Sequence, residues 1–156
     1  MRLLGLDPGL RHTGWGIINT KDEKIKWVAS GSISPKSSLP LSIRLKEIHI
    51  EINKVIKEYS PKTAAVEEVF VNMNGQSTLK LGMARGAAIT TCSIHNIQVF
   101  EYAPTRVKQS LTGSGRALKE QVKSMVKILL PGCKIESEDE SDALAVAICH
   151  TFFFSI

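Results

Sequence analysis

Cysteine is scarce in this chain of 156 residues: only Cys92, Cys133 and Cys149 are present, with no Cys-x-x-Cys pair. An odd, scattered set cannot form a disulfide frame and lacks the spacing of a zinc site, so these read as reduced thiols in a cytoplasmic protein. The histidines His12, His49, His95 and His150 show neither i,i+4 pairing nor a His-x-Glu pattern, so none of them is singled out as catalytic. No apolar run reaches membrane-spanning length, and Met1 to Leu6 is too short for a signal-peptide core. Gly113-Ser114-Gly115 follows a helical segment instead of a strand, so no phosphate-cradling fingerprint is present. With no repeat, low-complexity segment or linker, the expectation for residues 1–156 is one soluble domain with a sizeable core.

The net charge is +5, and its distribution says more than its size. Thr105 to Lys127 carries Arg106, Lys108, Arg116, Lys119, Lys123 and Lys127 against the single acid Glu120. Lys134 to Asp142 carries five acids against one base. A basic surface beside an acidic pocket suits a polyanion held by its backbone, although one basic run is equally an ordinary solvated helix face.

Arg2 to Asp7, Gly14 to Thr20 and Ile25 to Ser34 read as three strands with tight connections, hence an antiparallel meander. Leu41, Leu45, Ile48, Ile52, Val55 and Tyr59 recur at spacings of four and three, which makes an amphipathic helix ended by Ser60-Pro61. Thr63 to Phe70 reads as a buried central strand. Ser77 can cap a helix running to about Ile94, with Gly82, Gly86 and Thr90 on one face where another backbone could approach. Ile97 to Ala103 is a fifth strand, and Pro104 can open a short helix. Leu118 to Leu130 forms another helix, and Asp139 starts a last, apolar one. The order βββαβαβ followed by helices implies an α/β fold with a mixed five-stranded sheet and helices on both faces.

Four carboxylates stand at the ends of these elements. Asp7 closes the first strand before Pro8-Gly9, where a lone Asp is more often a turn former. Gly14 and Gly16 open the next strand and could leave room for a ligand against the backbone. Glu67 and Glu68 point to opposite faces of a strand, so at most one can join Asp7; the spacing favours Glu67. Asp139 and Asp142 lie three apart on one helix face. Capping or a favourable helix-dipole charge explains one of them, not easily both, whereas Glu136, Glu138 and Glu140 should be exposed. Converging carboxylates repel unless a cation sits among them, which points to hard divalent metal and a metal-dependent nuclease.

At this point the sequence closely resembles the RuvC family of Holliday-junction resolvases. LGLDPGLRHTGWGII resembles the family's opening, AVEEVFVNMNGQSTLKLGMARG its second block, VFEYAPTRVKQSLTGSGRALKEQV its third and DESDALAVAICH its last. The resemblance spans nearly the whole chain and implies a ribonuclease-H-like fold. It implies that Asp7, Glu67, Asp139 and Asp142 are catalytic and hold two magnesium ions, with manganese able to substitute. It also selects Glu67 over Glu68, because the family's acid follows the apolar residue of that strand. Phe70, Lys108 and Lys119 fall at positions tied in the family to junction contacts. Arg85, in the Ala-Arg-Gly closing the second block, is assigned to DNA contact with them. Met83 departs from the family's usual Gln.

The implied activity is resolution of four-way DNA junctions by paired nicks that leave 5′-phosphate and 3′-hydroxyl ends, in recombination and repair. Lys108, Arg116, Lys119 and Lys123 would neutralise phosphates, and Phe70 would stack on an unpaired base. Two equivalent cuts imply a homodimer, with the Gly82/Gly86 face as candidate interface unless it packs on the sheet. Branch-migration motor proteins are the further partners implied. Two rivals remain: an actin-like ATPase, which needs two such domains, and a non-catalytic junction-binding protein, which needs no carboxylate tetrad.

Overall fold

Asp22 and Glu23 adopt φ of 50° and 62°, the paired left-handed conformation that lets a two-residue turn follow strand twist. They join β2 (Thr13–Lys21) to β3 (Lys24–Ile33), each close to the span its apolar pattern suggests. β1 (Arg2–Asp7) pairs antiparallel with β2, completing the meander. The computed structural model describes residues 1–69 and 73–154. After the meander come α1 (Leu41–Tyr59), β4 (Thr63–Glu67), α2 (Gly75–Ile94), β5 (Gln98–Tyr102), α3 (Pro104–Thr112), α4 (Lys119–Leu129) and α5 (Glu138–Phe153). β4 lies parallel to both β1 and β5, and the sheet order is β3-β2-β1-β4-β5. This is the expected mixed five-stranded sheet.

Strand alternation sorts side chains into two cores. Leu4, Leu6, Ile17 and Val66 pack with Ile48 and Ile52 of α1 and Ala84 and Ala88 of α2. Leu3, Ile18 and Ala65 face the other way, against Val107 of α3, Val122 and Val126 of α4, and Leu144 and Ile148 of α5. Helices therefore cover both faces.

Helix α5 lies unusually close to the sheet, and glycine permits it. A Cβ on Gly5, Gly14 or Gly16 would collide with the Ala143 carbonyl, the Asp139 carbonyl and the Leu144 side chain, respectively. The space expected beside Gly14 and Gly16 for a ligand is filled by this helix.

Three element ends differ from the sequence reading by more than a residue or in the capping residue. β4 stops at Glu67; Glu68 and Val69 are exposed non-strand residues, and Phe70 lies outside the described residues. Helix α2 is capped by Asn74, whose side chain accepts from Gln76 N at 3.1 Å and Ser77 N at 3.2 Å, so Ser77 is already inside the first turn. Helix α5 is capped by Ser137, whose Oγ accepts from Glu140 N at 3.2 Å, so Asp139 is not the cap. Among the described residues no helix is long and apolar enough to cross a membrane.

Candidate active site

The side of the sheet on which each acid falls follows from parity. On β1, Asp7 shares a face with Leu3 and Gly5; on β4, Glu67 shares it with Thr63 and Ala65. Leu3 pairs with Thr63 and Gly5 with Ala65, so Asp7 and Glu67 end adjacent rows at the carboxyl ends of parallel strands. Both fall on the α5 side, while Glu68 leaves the sheet exposed. The loop after Asp7 is tied down: Thr13 Oγ1 donates to Gly9 O at 2.7 Å, and Arg44 Nη2 donates to Leu10 O at 3.1 Å.

Asp142, in the second turn of α5, meets these two acids in a cavity of about 220 Å³ that Lys108 and Lys119 also line. Val107, Val122 and Ala145 form apolar walls. Asp139 does not line this cavity but a different cleft, with His12 and Lys134, although its charge reaches Asp7. Lys119 Nζ stands 3.4 Å from Asp142 Oδ2 and 3.4 Å from Glu138 Oε2. Among the described residues no three acid, histidine or cysteine side chains are close enough together to hold a metal ion.

The electrostatic consequence falls mainly on Asp7. Burial, then repulsion from Asp142, Asp139 and Glu67, pushes its carboxyl up to about 7, with Lys119 opposing. Glu67 is raised by burial and by Asp142, against Lys108 and Lys119. Asp142 is raised by burial despite Lys119, and Asp142 in turn raises the Lys119 ammonium.

The other candidates are distributed differently. Arg116 is exposed and Lys123 half-buried; neither lines the carboxylate cavity, though Lys119 and Lys123 lie one helical turn apart on α4. The Arg85 side chain is 13% exposed and donates to Glu67 O and to the Glu101 carboxylate. Gly82 and Gly86 have nothing within 4 Å of their Cβ positions, so that face of α2 does not pack on the sheet.

Glu140 departs from expectation: it is 4% exposed instead of solvated. Its Oε1 accepts from Ser30 Oγ at 3.1 Å, and its Oε2 accepts from Glu136 N and Ser137 Oγ, each at 3.0 Å. The local signal for this role is Ser137-x-x-Glu140, the spacing of a capping box. His150 is fully buried: its Nε2 shares a hydrogen bond with Thr63 Oγ1 at 3.0 Å, its Nδ1 one with Tyr102 OH at 2.6 Å, and burial lowers its pKa to about 4.

A mixed sheet in this order, with helices on both faces and α5 laid across β1 and β2, is a ribonuclease-H-like fold. The family model for crossover junction endodeoxyribonuclease RuvC matches residues 3–150. The curated RuvC of Paramagnetospirillum magneticum is 57% identical over 96% of this chain and 90% of its own length. That of Gluconobacter oxydans is 54% identical over 96% and 89%. Thermus thermophilus RuvC, solved in complex with Holliday junction substrate, superposes with a TM-score of 0.92 at 32% identity, covering 98% of this chain and 94% of that one. The chain belongs to the RuvC family of crossover junction endodeoxyribonucleases.

Proposed function

We propose that this chain, acting as a single nuclease domain, resolves four-way DNA junctions by metal-dependent hydrolysis of phosphodiester bonds, with Asp7, Glu67, Asp139 and Asp142 as metal ligands and Lys108 and Lys119 on the substrate. The observation that carries the proposal is the gathering of Asp7, Glu67, Asp142, Lys108 and Lys119 around one cavity from β1, β4, α5, α3 and α4.

The donor set fits a hard divalent cation. All four donors are carboxylates, which suit magnesium or manganese and not zinc. Asp7 is held near pKa 7 by burial and like charge, and a bound cation would relieve that repulsion. The acids are too dispersed to grip an ion as they stand, and Lys119 pairs with Asp142, so loading would draw the acids inward and release Lys119. Two bound cations would supply the charge that makes a water nucleophilic and stabilises the departing 3′ oxygen.

Around that chemistry the chain's residues have separable tasks. Lys108 and the released Lys119 would neutralise the scissile phosphate, while Arg116 and Lys123 would hold flanking backbone. Phe70, just beyond Glu67 in sequence, would stack on a base unpaired at the crossover. A second copy would seat on the bare α2 face, where Leu79 and Met83 are exposed beside Gly82 and Gly86, and so present two active sites to the junction. Partnership with branch-migration motor proteins and a cytoplasmic location belong to the same reading.

Incubating the protein with a synthetic four-way junction, with and without magnesium, tests this. Paired, symmetric, ligase-sealable nicks only with magnesium are expected. Binding with no nicking in any divalent metal would instead identify a junction-binding protein without catalysis.

A further inference from the structure

Glu67 lines the cavity from the last position of β4, where the ladder gives way to loop. The peptide group that joins Glu67 to Glu68 fixes the backbone on the carboxyl side of Glu67, and so the direction in which its carboxylate leaves the strand. Both polar atoms of that peptide are held. The N–H of Glu68 donates to Tyr102 O at 2.9 Å, and the carbonyl of Glu67 accepts from Arg85 Nη1 at 2.6 Å. Arg85 Nη2 donates to the Glu101 carboxylate on β5. One guanidinium thus ties α2 to the ends of two neighbouring strands.

We propose that Arg85 is a positioning residue for the cavity: by clamping the Glu67–Glu68 peptide between α2 and β5, it sets the direction in which Glu67 meets a cation. The proposal rests on the metal-nuclease reading above and replaces the expectation that Arg85 contacts DNA. A side chain 13% exposed, with both terminal nitrogens in use, has little left to offer a phosphate. Its planar fork serves acceptors on two different strands at once, which a lysine ammonium on a flexible stem does not reproduce. Partners that orient a metal ligand from outside the coordination sphere change metal affinity without touching the ion.

The test is calorimetric titration of Mn2+ into the DNA-free wild type, Arg85→Lys and Glu101→Gln, with junction affinity measured over a salt series in EDTA. Nicking is followed against Mn2+ concentration. Arg85→Lys should weaken Mn2+ binding roughly tenfold and shift the Mn2+ requirement for nicking equally, with kcat recovered at saturating metal. Junction affinity and its salt slope should stay at the wild-type value. Glu101→Gln, which removes only the charge of the partly exposed partner, should shift Mn2+ binding in the same direction by a smaller factor, and it carries the test if Arg85→Lys does not fold. Wild-type Mn2+ affinity in both variants would overturn the proposal, and a lost junction affinity with a shallower salt slope would restore Arg85 as a phosphate contact. A wild type that binds no Mn2+ would overturn the metal reading, and the Arg85 proposal with it.

Discussion

Asp7 and His150 respond to pH in opposite senses, and each gives a measurable consequence. The Asp7 pKa is raised to about 7 in the folded, metal-free protein, so its stabilising contribution is complete below the ordinary carboxylate value of 3.8 and lost as pH rises through 7. Asp7→Asn should therefore raise the metal-free unfolding temperature at pH 8. It should also cut nicking by about a thousandfold or more while sparing junction binding, since metal ligation and transition-state charge stabilisation are worth several kcal/mol. Loss of junction binding together with activity would count against this division of labour. His150 is lowered to about 4 from 6.5, so its contribution is present above 6.5 and lost as pH falls to about 4. Across that window the loss should be on the order of 3 kcal/mol. Urea unfolding at pH 7 and about pH 4.5 should show a smaller acid loss in His150→Phe than in the wild type. Equal losses would show that this imidazole is not held neutral.

Helix α5 brings its acids to the sheet only because β1 and β2 carry glycine beneath it. Gly14→Ala would drive a methyl into the Asp139 carbonyl and Cβ, so both stability and Mn2+ affinity should fall. Gly82→Ala meets nothing within 4 Å and should stabilise the isolated chain by about 1 kcal/mol, because alanine is the better helix former. Chemical denaturation of the pair checks both signs.

These helices also show what local pattern can and cannot carry. The spacing from Leu41 to Tyr59 defines α1, and the acid-led apolar run places the start of α5 to within a residue, because period and burial are local signals. Glu67 is separable from Glu68 once strand parity and family likeness are joined. The role of Glu140 is only half legible: Ser137-x-x-Glu140 marks a helix start locally, but its burial depends also on Ser30 of β3, 110 residues away. Arg85 escapes a sequence reading for the same reason: its acceptors lie on β4 and β5, and nothing near it in sequence announces them. Asn74 is hidden as a cap because Ser77, an equally good capping residue, stands closer to the first apolar position.

Seen whole, the molecule sets its basic helices α3 and α4 beside an acidic cavity, so binding and cutting should separate on mutation. Lys123 lies outside the cavity on α4. Lys123→Ala should weaken junction binding, reduce the slope of log affinity against log salt by about one, and leave Mn2+ affinity unchanged. An unchanged salt slope would remove Lys123 from the phosphate track.

Manganese anomalous scattering from crystals of the wild-type protein reads the carboxylate cavity without any assay. Ions held among Asp7, Glu67, Asp139 and Asp142, with the Lys119 ammonium moved off Asp142, are the expected result. Saturating manganese that leaves the cavity bare and the Lys119–Asp142 pair intact would contradict it.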